Sequence, residues 1–152
     1  RGDRGFVLEA VAAHGAALGY AAANLRSDRS LVIEAAERGR GSCLQGAAQE
    51  LKGDQDFVLK VVAADSQAFK HAAEQLQSDK PFAIKVAGTN GLTLQHMPEK
   101  FKADKEVVAA AVGQNVNAAA FAHASRRHDL GLDLPWDSQA QFQKGDAGAG
   151  VA

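Results

Sequence analysis

Few side chains in this sequence have the types and spacing that chemistry needs. His71 and His96 lie 25 residues apart, at equivalent positions of the repeat described below. Two stacked imidazoles could begin a metal site. Zinc, however, takes four ligands, or three and a water. No further His, Cys or carboxylate recurs at that position, where Tyr20, Gly46 and Phe121 stand instead. The expectation is a column that accepts rings at a groove edge, with no metal and no other cofactor. Cys43 is the only cysteine, which excludes an internal disulfide. It shares a column of small residues with Ala17, Ala68, Thr93 and Ala118, so a buried, inert thiol is expected. Gly39-Arg40-Gly41-Ser42 offers backbone N–H groups but lacks the strand and lysine of a phosphate-binding loop. Arg1-Gly2-Asp3 matches an adhesion tripeptide in letters only, because Asp3 has a capping role. No Ser-His-Asp set or carboxylate pair emerges from the spacings, and the chain is not expected to be an enzyme.

Charge and apolar anchors are more informative. Arg4, Arg29, Lys80 and Lys105 each follow a periodic aspartate, and Arg26, Lys52, Lys102 and Arg127 each stand two residues before one. Eight of the 17 Lys and Arg therefore fall along one edge of the repeats. Cations in the second column suit a helix C-terminus, whereas those in the first oppose the N-terminal dipole. One reading is a ridge for an acidic protein face, lipid head groups or RNA. The favoured reading is a solvated edge laced with the aspartates, whose interleaved charges cancel the long-range field. Near the C-terminus, Leu132, Leu134, Trp136 and Phe142 are large apolar residues with polar flanks, Asp133 and Asp137 among them. Tryptophan is enriched among interface anchors, and this segment is expected to cap the array or dock a partner.

These residues need a scaffold, and the composition limits what it can be. The 152 residues hold 17 basic and 18 acidic side chains, a balance that argues against a dedicated nucleic-acid binder. At 46% hydrophobic and 23% charged the chain is in the globular range. It has 32 alanines and 15 glycines but one Trp, one Tyr and one Met. Small side chains bury little area each, so the elements must pack closely. Two stretches, Ala10–Leu25 and Val107–Ser125, lack charged side chains. The second carries Gln114, Asn115, Asn117 and His123, and no membrane span is expected. The chain opens on Arg1 rather than Met, so a processed or trimmed start is expected.

A repeat organises the chain. Aspartates stand at Asp3, Asp28, Asp54, Asp79, Asp104 and Asp129, spaced by 25 or 26 residues. Three residues after the first five come Phe6, Leu31, Phe57, Phe82 and Val107. Ten residues before the second to fifth come Leu18, Leu44, Phe69 and Leu94. Each aspartate is a natural helix N-cap. A first helix follows, then a turn at His14-Gly15, Asp65-Ser66, Asn90-Gly91 or Asn115, where Asn and Gly would supply a left-handed helix end. A second helix returns to the next aspartate. Pro98 cannot sit inside a straight helix, so this second helix is expected to be kinked in the fourth repeat and by extension in the others. Neither helix is long enough to stand alone. The expected fold is all-α: an α-solenoid of five helical hairpins of about 25 residues, spanning residues 3–128, with the stability of stacking. The fifth repeat departs from the pattern at Ala119 and Arg126. Residues 129–143 are expected to form a non-repeat capping or docking segment, and 144–152 a flexible tail.

The pattern Asp-x-x-Phe-Val-Leu, with a turn and then a leucine three residues before the next aspartate, resembles the repeat family called domain of unknown function 4116. It is carried by Asp3-Arg4-Gly5-Phe6-Val7-Leu8, by Asp54-Gln55-Asp56-Phe57-Val58-Leu59, and by the junctions Leu25-Arg26-Ser27-Asp28 and Leu76-Gln77-Ser78-Asp79. The resemblance implies an all-helical repeat and brings no catalytic residues. The expected role is a non-catalytic interaction module whose partners are other protein subunits of a larger assembly. The repeat type points to an intracellular setting, a plastid or mitochondrion with the presequence removed, where docking on a membrane complex is compatible with the reading. The rival reading is a binder of nucleic acid or another anionic ligand through the basic edge. A 25-residue period is shorter than that of the helical repeats that read RNA, which places nucleic acid second.

Overall fold

The computed structural model describes residues 3–38 and 43–133, and among these the chain is helical with no strand. The first unit runs α1 (Arg4–Ala13), a 3₁₀ segment (Gly15–Tyr20) and α2 (Ala23–Arg26). The second runs α3 (Arg29–Arg38), α4 (Cys43–Gly46) and α5 (Gln49–Lys52). The third runs α6 (Gln55–Ala64), a 3₁₀ segment (Ser66–His71) and α7 (Glu74–Ser78). Then come α8 (Lys80–Thr89), Gly91–His96 and α9 (Glu99–Lys102), and finally α10 (Lys105–Gln114), Val116–Phe121 and α11 (Ala124–Asp129).

The aspartates start the long helices as their chemistry dictates. Asp3 accepts from the Gly5 and Phe6 N–H groups at 2.9 and 3.3 Å, Asp28 from Leu31 at 3.1 Å, and Asp54 from Phe57 at 3.0 Å. Asp79 accepts from Phe82 at 3.1 Å, and Asp104 from Glu106 and Val107 at 3.0 and 3.3 Å. Each long helix then buries one stripe. In α6 this is Phe57, Val58, Val61 and Val62, the spacing that puts side chains on one helical face. The long helices stack in chain order, α1 on α3, α3 on α6, α6 on α8 and α8 on α10. The returning segments form a second layer in the same order, from Gly15–Tyr20 through α4 to Val116–Phe121. Leu18, Leu44, Phe69 and Leu94 from this layer meet Leu31, Phe57, Phe82 and Val107 from the first in one continuous core.

The return limb is not a kinked helix. In every unit it is a short helical segment, two non-helical residues, and a helix of four to six residues. Ala72 and Ala73 have φ/ψ of −63/161° and −58/142°, and Met97 and Pro98 have −80/154° and −56/152°. The extended pair turns its backbone N–H away from its own helix toward the preceding unit. Ala48 donates to the Arg26 carbonyl, Ala73 to Lys52 and His123 to Lys102, each at 2.9 Å. Pro98 stands where the fourth unit would make the same bond and has no N–H to give.

The turns also depart from the left-handed conformation expected of them. His14, Asp65, Asn90 and Asn115 are extended, with φ between −143 and −148°, and no described non-glycine residue has positive φ. These residues end one helix and start the next segment. Asp65 accepts from Gln67 N–H at 2.9 Å and Asn115 from Asn117 N–H at 3.0 Å, while Asn90 Nδ2 donates back to the Val62 carbonyl at 3.0 Å. Asp129, the sixth periodic aspartate, caps nothing: it lies in the last turn of α11 and pairs with Arg126 at 2.6 Å. Gly131, at φ 67°, supplies the left-handed helix end there. Its N–H bonds the His128 carbonyl at 3.0 Å and Leu132 N–H bonds Arg127 at 2.8 Å, a pattern that closes a helix C-terminus.

Candidate interaction surfaces

The first basic column has a partner in the next unit. Arg4 reaches Asp28 at 3.4 Å and Glu34 at 3.2 Å, Arg29 pairs with Asp54, and Lys80 reaches Asp104 at 2.9 Å and Glu106 at 3.0 Å. The aspartate thus uses one oxygen on its own helix N-terminus and the other on the preceding unit's cation. That double use explains cations placed against a helix dipole. It also depresses the carboxyl pKa values. Asp28 and Asp54 are lowered first by the backbone hydrogen bonds of Leu31 and Phe57, and Asp104 first by Lys80. Arg29 lies in addition over the Phe57 ring, 5.6 Å from its centroid. The third unit has Gln55 at this position, and Lys105 has no ion-pair partner among the described residues.

The second column turns inward. Lys52 Nζ donates to the Gln45 carbonyl at 2.7 Å, Lys102 Nζ pairs with Glu99 at 2.8 Å, and Arg127 Nη1 donates to the Ala122 carbonyl. Gln77, at the same position in the third unit, donates to the Lys70 and Ala72 carbonyls at 2.9 and 2.8 Å. Lys52, Gln77 and Arg127 fold back onto carbonyls at the end of the preceding helical segment, where a donor is stabilising, whereas Lys102 pairs with a carboxylate of its own helix. Arg26 differs: its Nε is buried and bonds nothing. The two columns are therefore two features, one tying units together and one closing helix ends.

His71 and His96 are half-buried in the second layer, and burial, followed by the charges of Lys52 and Lys70, lowers the His71 pKa. Burial and Lys70 do the same to His96, so both imidazoles are neutral near pH 7. No group of three or more His, Cys, Asp or Glu among the described residues is placed to hold a metal ion. Cys43 is buried, its thiol pushed up to about 11 chiefly by desolvation, and its Sγ faces the Val32 carbonyl at 3.8 Å.

Apolar surface collects at the ends of the stack. Phe6 is 65% exposed, whereas its column equivalents Leu31, Phe57, Phe82 and Val107 are at most 1% exposed. Tyr20, 80% exposed, lines a cavity of about 170 Å³ with Phe6, Val7, Ala10 and Ala17. The periodic pattern placed Phe6 among core positions. The signal that separates it is its rank as the first of its column, with no described unit before it. At the other end Leu132 is half-buried and lines a cavity of about 590 Å³ with Leu92, Val116, Ala119 and Phe121. Leu134, Trp136 and Phe142, the stretch Gly39-Arg40-Gly41-Ser42 and residues 144–152 lie outside the described residues. No described helix is long and apolar enough to cross a membrane.

A family model described as Domain of unknown function (DUF4116) matches the chain in two segments, residues 3–52 and 79–127. Each matched segment spans two successive units, and residues 55–78 between them show the same order of elements. No curated protein and no solved structure matches the chain.

Proposed function

The chain belongs to the DUF4116 family, and we propose that it is a non-catalytic interaction module. In this reading it is an α-solenoid of five repeats that docks other protein subunits as an accessory part of a larger assembly. The observation that carries it is the exposed apolar surface of the first described unit. Phe6 presents to solvent the position that four later units bury. Covering one such ring contributes roughly 1.5–3 kcal/mol, and exposed aromatic pairs in contiguous patches mark interfaces. Tyr20 supplies the second ring. The rival, a basic edge for nucleic acid, has less support, because Arg4, Arg29 and Lys80 are neutralised by the next unit's carboxylates.

Purification of the native protein with its neighbours intact, followed by cross-linking, tests the proposal. The Phe6→Ser/Tyr20→Ser variant should keep its helical circular dichroism and elute without its partners. If that variant stays in the complex, the N-terminal end is not the docking face. Elution of the wild-type chain alone under native conditions would remove the module reading itself.

A further inference from the structure

Two neighbouring units bring a pair of cations to one cleft. Arg26 is the last residue of α2 and Lys52 the last of α5. The bond from Ala48 N–H to the Arg26 carbonyl, 2.9 Å, holds the two helices in register. Their side chains line a cavity of about 430 Å³ that is bordered by Gly19 and Gly46 and rimmed by Gln45 and Glu50. The two glycines pack backbone to backbone at its border, where a Cβ on Gly46 would lie 2.3 Å from Gly19 N.

The Arg26 guanidinium makes no hydrogen bond and no ion pair with a described residue, and its Nε is cut off from water. Leaving such a donor unmade is costly, more so when it is charged. Lys52 uses one of its three donors on the Gln45 carbonyl. Glu50 shares the cavity but ion-pairs with neither cation. In the rest of this column Gln77, Lys102 and Arg127 all have partners within the chain. Among the described residues of the column, the first two units alone leave adjacent positive charges unanswered, and burial together with Arg26 lowers the Lys52 pKa.

We propose that the cleft between Arg26 and Lys52 is an anion site whose ligand carries a phosphate group. A phosphate dianion balances the two charges. The guanidinium meets two of its oxygens, and the ammonium meets a third as a point charge. The cavity exceeds what one phosphate fills, since a water molecule's share of liquid volume is about 30 Å³. A small phosphate monoester therefore fits the site better than inorganic phosphate. Failure of this site would leave the docking role standing, because the two use different residues.

The test is titration of the full chain with inorganic phosphate and with glycerol 3-phosphate, followed by calorimetry and by the NMR signals of the Arg26 Nε–H and Lys52 Nζ. The expected result is saturable binding at one site with a Kd on the order of 1 mM or tighter, a shift of the Arg26 Nε–H, and an upward move of the Lys52 titration. Tighter binding of the ester assigns the rest of the cavity to its organic part; equal binding assigns the site to the phosphate alone. Arg26→Ala and Lys52→Gln should each weaken binding by about tenfold or more, while Lys105→Ala leaves it unchanged. Lys52→Gln retains a donor for the Gln45 carbonyl and so keeps the test open if Arg26→Ala unfolds. Absence of saturable binding, or equal affinity in Lys52→Gln and the wild type, would overturn the proposal.

Discussion

Substituting Gly46 by alanine probes whether the second layer is as close as the structure shows. An added Cβ would lie 2.3 Å from Gly19 N, 2.7 Å from Leu18 C and 2.9 Å from Leu18 Cβ. Ordinary contact needs about 3.5 Å, so α4 and the Gly15–Tyr20 segment would have to separate by roughly 1 Å. The obstacle is backbone, which cannot rotate aside as a side chain does. Overpacking of a core costs about 1–3 kcal/mol, and this case belongs at the upper end because Leu18 and Leu44, both fully buried, move with it. For a chain of this length roughly 3 kcal/mol lowers Tm by about 10 °C. Gly113→Ala in α10 is the matched comparison, since a Cβ added there meets open space, with no atom within 4 Å. There alanine should stabilise by about 0.5–1 kcal/mol, because glycine loses more chain entropy on folding. Thermal melts by circular dichroism at one protein concentration would read both. A Gly46→Ala melt within about 2 °C of wild type would refute the close stacking of the first two units.

Two further outcomes follow from the titrating groups. Asp28, Asp54 and Asp104 have folded pKa values below their unfolded ones, so their contribution is complete above about pH 5 and fades as pH falls below about 4 through the folded pKa; denaturant melts across pH should show that acid loss, and a flat profile down to about pH 3 would contradict the shared carboxylates. Cys43, buried and with its thiol at about 11, should resist a thiol reagent at about pH 8 in the native protein and react fully in denaturant; rapid native labelling would show that the α3–α4 contact opens readily.

The periodic aspartates, the Phe57 and Phe82 column and the Leu18, Leu44, Phe69 and Leu94 column were legible in the sequence. N-capping and burial are properties of a residue type at a position, and a repeat writes each of them several times. The alternation of Arg or Lys with Asp at the helix starts was legible too, although only the stacking showed that each cation answers the next unit's aspartate. The Arg26–Lys52 cleft was not distinguishable from the rest of its column, because Lys102 and Arg127 differ from Arg26 only in the partners that folding brings.

Other features came from the tertiary structure alone. Ala21-Ala22, Ala47-Ala48 and Ala72-Ala73 are strong helix formers by propensity, yet Ala72-Ala73 is as extended as Met97-Pro98. Proline betrayed the break in one unit through its missing N–H. In the second, third and fifth units the break is matched by a bond from Ala48, Ala73 or His123 to a carbonyl of the unit before, whereas Ala21-Ala22 is extended without one. The turn residue Asn90 is extended rather than left-handed, and its side chain bonds the Val62 carbonyl of the preceding unit. Local sequence sets what a backbone prefers by a fraction of a kcal/mol per residue; a hydrogen bond from a neighbouring unit, at about 1 kcal/mol, outweighs that preference, and its donor and acceptor meet only once the units are stacked.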